Sequence, residues 1–219
     1  MTAPDVITVL IVDDDPFVRR GVADIFAAAA DITVVAGVDD GDQVPAAVAA
    51  HRPRVVLMDL KMRRIGGLEA TRHLMTLADP PRVIAMTAMD VDDLVIQAVT
   101  AGAHSFLSKD EAPETFHQSV RAVAAGNTLF SQDSLRRIVV GSPSPSVRAA
   151  APVNLETLSE RERDVLQAVA TGASNADIAA ALFLSETTVK THVSSIFTKL
   201  GTRNRVETAL TAFRAGLVT

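Results

Sequence analysis

The sequence predicts two folded parts: a five-stranded parallel α/β unit, then an all-α unit of four helices. Three features of the 219-residue chain predict this. Five short apolar runs alternate with amphipathic stretches through the first 125 residues. A Ser/Pro tract, Gly141–Ser146, follows. Beyond it, apolar positions recur only at helical spacing.

The strand-like runs are Val6–Val12, Ile32–Ala36, Val55–Met58, Val83–Met86 and Ser105–Leu107. They are nearly unbroken and rich in Val, Ile and Leu, as in strands covered on both faces. Pro16 suits a first helical turn, and Val18, Val22, Ile25, Phe26 and Ala29 recur along the helix it opens. Further helices are predicted over 41–50, 67–77, 92–101 and 113–125, and 131–140 allows a short extra one. In the second part, Ser159–Glu162 reads as a capping box ahead of Val165, Leu166, Val169 and Ala170. Gly172 ends that helix. Ser174–Asp177 repeats the start, with Ile178, Ala179 and Leu182 inward. After a turn at Phe183-Leu184, Ser185 caps a helix with Val189, Val193, Ile196, Phe197 and Leu200 on one face. A fourth helix spans about 204–215. Its Val206, Ala209, Leu210 and Phe213 suit either the domain's own core or a face for a second copy. The predicted division is 1–128, a linker over 129–153, and 154–219.

Composition narrows the function. The 21 basic and 26 acidic side chains give a net charge of -5. Residues 146–219 hold 8 basic and 7 acidic groups, leaving 13 and 19 in residues 1–145. Nucleic-acid binding by such a chain must be local and geometrically directed. The absence of Cys excludes disulfides, thiolate metal sites and cysteine nucleophiles. No apolar run reaches the length of a membrane span, and Met1–Asp5 lacks a basic start followed by an apolar stretch. A cytoplasmic protein with no membrane partner is expected.

Acidic residues gather where strands end. Asp13, Asp14 and Asp15 follow the first strand and Asp59 the third. In a parallel sheet these ends lie side by side, and chemistry collects beyond them. Crowded carboxylates repel unless a hard divalent cation joins them, which points to Mg²⁺. Thr87 ends the fourth strand and Lys109 follows the fifth. A hydroxyl and an ammonium over an acidic cluster suit a bound phosphoryl group, with Asp59 as the nucleophile. In the second part, residues 175–200 have a helix–turn–helix pattern. Thr187, Thr188, Lys190, Thr191, Ser194 and Ser195 fall on the open face of its second helix. No acidic residue lies between Glu186 and Glu207, whereas Lys190, Lys199, Arg203 and Arg205 do, a footprint for an anionic partner.

Ile11-Val12-Asp13-Asp14-Asp15-Pro16, Met58-Asp59-Leu60-Lys61-Met62, Met86-Thr87-Ala88 and Phe106-Leu107-Ser108-Lys109 resemble the receiver domain of bacterial two-component response regulators. The resemblance implies a flavodoxin-like (βα)5 fold with Asp59 as phosphoacceptor. It implies a metal set of Asp13, Asp14, Asp59 and the Lys61 backbone carbonyl. Thr87 and Lys109 would contact the phosphoryl group, and Phe106 would be an aromatic that follows phosphorylation. Two positions depart from the family. Arg63 replaces its usual Pro and, with Arg64, is expected to face solvent. Asp15 stands where His is usual and can join the groups behind the metal pair.

Leu158–Glu162, Gly172–Asn175 and Ser185–Val193 resemble the LuxR-type DNA-binding domain, so the whole is similar to the NarL/FixJ response regulators. That likeness implies base contacts from Lys190, Thr191 and Ser194. It places Thr188, His192 and Lys199 at or beside phosphates, and makes Glu162 a helix-packing acid. The implied partners are a sensor histidine kinase, double-stranded promoter DNA and, when active, a second copy. The implied function is transcriptional regulation, not enzymatic turnover. An aspartyl phosphatase would want a second Asp two residues past Asp59, where Lys61 stands. A receiver-fold regulator working without phosphorylation is the alternative, and Arg63 alone leans toward it.

Overall fold

The computed structural model describes residues 6–88, 92–127, 155–202 and 204–217. The chain divides into two compact units, Met1–Gly126 and Asn127–Thr219. The linker 129–153 and the extra helix over 131–140 lie outside the described residues.

The first unit alternates strands and helices. Its elements are β1 (Ile7–Val12), α1 (Pro16–Ala27), β2 (Ile32–Val38), α2 (Val44–His51), β3 (Val55–Asp59), α3 (Gly67–Leu74), β4 (Arg82–Thr87), α4 (Asp92–Ala101), β5 (Ser105–Ser108) and α5 (Pro113–Ala124). All neighbours pair in parallel, in the order β2-β1-β3-β4-β5. Strand alternation splits the core into two layers. Val9, Ile11, Leu57, Ile84 and Met86 pack against Val22 and Phe26 of α1 and Phe116, Val120 and Val123 of α5. Leu10, Val12, Val56, Met58 and Ala85 pack against α2, α3 and α4 through Val44, Ala47, Ala70, Leu74 and Ala98. The predicted helix over 41–50 is a 3₁₀ turn, Gly41–Gln43, leading into α2. Pro45, which lacks an N–H, sits in the first α turn where no such donor is needed. The helix predicted over 67–77 closes at Leu74, where the Met75 N–H turns back to Thr71 and His73 carbonyls.

Among its described residues, the second unit holds a 3₁₀ turn, Leu155–Thr157, and four helices: α6 (Glu160–Ala170), α7 (Asn175–Leu182), α8 (Glu186–Leu200) and α9 (Arg205–Arg214). Both predicted capping boxes form, at Ser159/Glu162 and Ser174/Asp177. Val165, Leu166, Ile178, Val189, Ile196, Val206, Ala209 and Leu210 are buried. The α9 residues Val206, Ala209 and Leu210 therefore pack into the domain's own core, while Phe213, the fourth residue of that predicted face, is half-buried.

Glu162 ties this unit together. Its buried carboxylate accepts from Lys199 Nζ at 2.7 Å, Ser195 Oγ at 2.6 Å and the Ser159 N–H at 2.7 Å. The Lys199 and Ser195 bonds outweigh burial and hold its pKa down to about 2. A carboxylate depressed in the folded state stabilises fully above its unfolded value and loses that contribution as pH falls toward the folded value. Glu162→Gln is expected to destabilise the helical unit by about 2–3 kcal/mol at pH 7. In thermal melts, the gap to the parent should close between pH 4.5 and about 2. A gap constant across that window would contradict the assignment.

Candidate functional site

The carboxyl ends of β1 and β3 bring three aspartates together. Asp13 follows Val12, and Asp59 is the last residue of β3. One carboxylate oxygen from each of Asp13, Asp14 and Asp59 lies within 4.8 Å of the others. Asp13 and Asp59 are buried, and Asp14 is half-buried. Lys109 reaches over from the end of β5, its Nζ 2.7 Å from Asp13 Oδ2 and 3.2 Å from Asp59 Oδ1. Burial raises the Asp59 pKa; the Lys109 charge opposes this and the Asp13 charge adds to it. Burial works against the Lys109 ammonium, but the Asp13 and Asp59 carboxylates outweigh it and hold its pKa above the usual lysine value.

The other predicted site residues lie on β4, on β5 and in the loops after β1 and β3. Thr87 is buried at the end of β4, and its carbonyl accepts the Lys109 N–H at 2.8 Å. Phe106 pairs with Ala85 in the sheet and packs, half-buried, on the layer of α2, α3 and α4. Lys61 follows Asp59 in the β3–α3 loop, and its N–H donates to the Asp59 side chain. Asp15 stands outside the cluster: it caps α1, accepting the Phe17 N–H at 2.8 Å. Its own N–H donates to Asp13 Oδ1 at 3.0 Å.

The two arginines do not simply face solvent. Arg63 Nε lies 3.4 Å from Asp14 Oδ2. Arg64 pairs with Asp39 at 3.1 Å, Asp42 at 3.0 Å and Asp40 at 3.6 Å. Three carboxylates and the direction of the loop backbone decide this, and neither is visible from a doublet of charged residues. Sequence reasoning missed this cluster. The run Asp39-Asp40-Gly41-Asp42 was the available signal.

The donor set suits a hard divalent cation. Its three ligand groups are all carboxylates, each offering an oxygen within 4.8 Å of the others, and Asp13 Oδ2 is buried with the Lys109 ammonium 2.7 Å away.

Helix α8 carries the second candidate surface. Thr187, Thr188, Lys190, Thr191 and Ser194 are exposed along it, and His192 is half-buried. The hydroxyls of Thr191 and Ser194 bond back to the carbonyls of Thr187 and Lys190, each at 3.0 Å. Three expected members of the basic, open face differ. Ser195 turns inward to Glu162, and Lys199 is paired with the same carboxylate. Arg205 is buried, donating to Asn175 Oδ1 at 2.9 Å and to the Ala173 carbonyl, and burial lowers its pKa to about 10. The Ala173 carbonyl between α6 and α7 and the Asn175 side chain claim it, and its own burial keeps it from an external anion. Arg203 lies outside the described residues.

The profile of the response regulator receiver domain matches residues 9–121. The chain belongs to this family. The response regulator carries a second match, to the luxR family of bacterial regulatory proteins, over residues 156–212. It is 36% identical to the uncharacterized transcriptional regulatory protein YxjL of Bacillus subtilis (strain 168), over 98% of each chain. It is 32% identical to the nitrate/nitrite response regulator protein NarL of Escherichia coli (strain K12), over 93% of each. Among solved structures, the response regulator ChrA of a heme-sensing two-component system aligns with 33% identity and a TM-score of 0.54. That alignment covers 98% of this chain and 100% of the other. The response regulator therefore joins a five-stranded parallel receiver to a LuxR-type DNA-binding helix–turn–helix and is a transcriptional regulator of the NarL type. No helix among its described residues is long and apolar enough to cross a membrane.

Proposed function

We propose that this response regulator is switched by Mg²⁺-dependent phosphorylation of Asp59 from a sensor histidine kinase. One observation carries the reading: Lys109 sits between the carboxylates of Asp13 and Asp59, its N–H bonded to the carbonyl of the buried Thr87. An Asp59 oxygen attacks the donor phosphorus. The bond from phosphorus to the donor's imidazole nitrogen breaks, and that nitrogen keeps the electron pair and takes up a proton. Lys109 neutralises the transferred oxygens and Thr87 donates a hydrogen bond to one. Asp13, Asp14, Asp59 and the Lys61 carbonyl would hold Mg²⁺, which supplies further charge neutralisation when bound. Phe106 then repacks against the α4 side as Thr87 moves.

The output in this reading is binding of double-stranded promoter DNA by α8 as a dimer on paired half-sites. Lys190, Thr191 and Ser194 reach base edges, with Thr188 and His192 nearer phosphates. Lys199 stands beside the backbone while still paired with Glu162. Of the apolar face on α9, Val206, Ala209 and Leu210 serve the domain's own core, which leaves the half-buried Phe213 for the dimer contact. The working division is a receiver over 1–128, a linker over 129–153 and the DNA-binding domain over 154–219, in a cytoplasmic, non-enzymatic protein. Lys190→Ala is expected to weaken operator binding severalfold and to reduce the slope of log affinity against log salt by about one. Gel shifts at several salt concentrations measure both. An unchanged slope would remove Lys190 from the contact.

A further inference from the structure

We propose that Arg63 is a tethered counter-cation that competes with a divalent metal ion for Asp14. The inference rests on reading the aspartate pocket as a Mg²⁺ site, and it assigns the affinity of that site to a residue outside the ligand set.

The loop after Asp59 is fastened on its far side. Asp40 is buried, and its two carboxylate oxygens accept the Arg64 N–H at 2.9 Å and the Ile65 N–H at 2.8 Å. The Gly41 N–H donates to the Ile65 carbonyl at 3.2 Å. The Arg64 guanidinium holds Asp39, Asp40 and Asp42. Two adjacent arginines thus work in opposite directions. Arg64 anchors the loop on the β2–α2 turn, while the anchored backbone presents Arg63 to Asp14.

The charge arithmetic gives this pairing a consequence. Three carboxylates and Lys109 leave the pocket at about −2, and Arg63 brings it to about −1. A guanidinium stays charged at every working pH, so it cannot leave by deprotonation. Its side chain is 85% exposed and can swing into solvent. Arg63 is therefore a displaceable competitor rather than a plug. A divalent ion must break one exposed ion pair to reach Asp14, a contact that weakens its binding about two- to fivefold.

The test is a Mg²⁺ titration of the full chain, followed by amide NMR shifts at fixed low ionic strength. Arg63→Gln should bind Mg²⁺ about two- to fivefold more tightly than the parent. Arg63→Lys should stay near the parent, and added NaCl should shrink the difference. An unchanged or weaker affinity in Arg63→Gln overturns the proposal. Asp14→Asn separates the two levels. If it loses affinity while Arg63→Gln matches the parent, only the competition fails. If Asp14→Asn binds like the parent, or if neither the parent nor Arg63→Gln binds, the reading of the pocket falls, and this proposal falls with it.

Discussion

Asp59→Asn is expected to abolish labelling by a small phosphodonor such as acetyl phosphate without harming the fold. The amide has nearly the shape of the carboxylate but no nucleophilic oxygen anion, so phosphoryl transfer stops. Stability should move the other way. Burial raises the Asp59 pKa, and Asp13 adds to the rise. A carboxylate whose pKa is raised on folding costs stability while it is ionised at neutral pH. Removing the charge relieves that cost and loses the Lys109 contact at 3.2 Å. The melting temperature of Asp59→Asn should therefore equal or exceed the parent's. The sign separates a group held for chemistry from one held for structure. Persistent labelling, or a large drop in melting temperature, would refute the assignment.

Gly67→Ala carries the largest expected loss of stability. Gly67 opens α3 directly beneath the end of β3. A Cβ there would sit 2.0 Å from the Asp59 carbonyl oxygen, 2.9 Å from its carbonyl carbon and 2.9 Å from Met58 Cγ. Two of those atoms are backbone of the strand that carries the phosphoacceptor, so no flexible side chain can yield. Either α3 lifts or the end of β3 shifts. The expected cost is about 3 kcal/mol or more, above the usual range for overpacking because the clash is with backbone. Urea unfolding of the first unit measures it, and the phosphodonor labelling rate should fall in the same variant. Gly21→Ala in α1 is the control. Nothing lies within 4 Å of a Cβ at Gly21, so that substitution should stabilise by about 0.5–1 kcal/mol. A loss below about 1 kcal/mol in Gly67→Ala would mean that α3 is not seated as tightly as described.

Much of this fold is legible in the sequence, because its strands are buried on both faces and spell themselves as unbroken apolar runs. The order of sites is legible for the same reason: Asp13, Asp59, Thr87 and Lys109 each stand at the carboxyl end of a β-unit. Capping residues also announce themselves, since Ser159 and Ser174 each place an acid three residues on. What stayed hidden depends on side-chain direction. Arg63 and Arg64 look alike as a doublet, yet one reaches Asp14 and the other the acidic β2–α2 turn. Lys199 and Arg205 look like free positive charge until Glu162 and the Ala173 carbonyl claim them. A charge count along the chain cannot see a buried acceptor. The close approach at Gly67 was hidden too, because the glycine is needed for space and not for a turn.

The central claim is that the carboxylates at the sheet's carboxyl edge make Asp59 the phosphoacceptor. The direct measurement is peptide mapping by mass spectrometry after acetyl phosphate treatment, with and without Mg²⁺. The account predicts one acyl-phosphate label, on Asp59, formed only with Mg²⁺. A label on Asp13 or Asp14, or an Asp59 label indifferent to Mg²⁺, would contradict it.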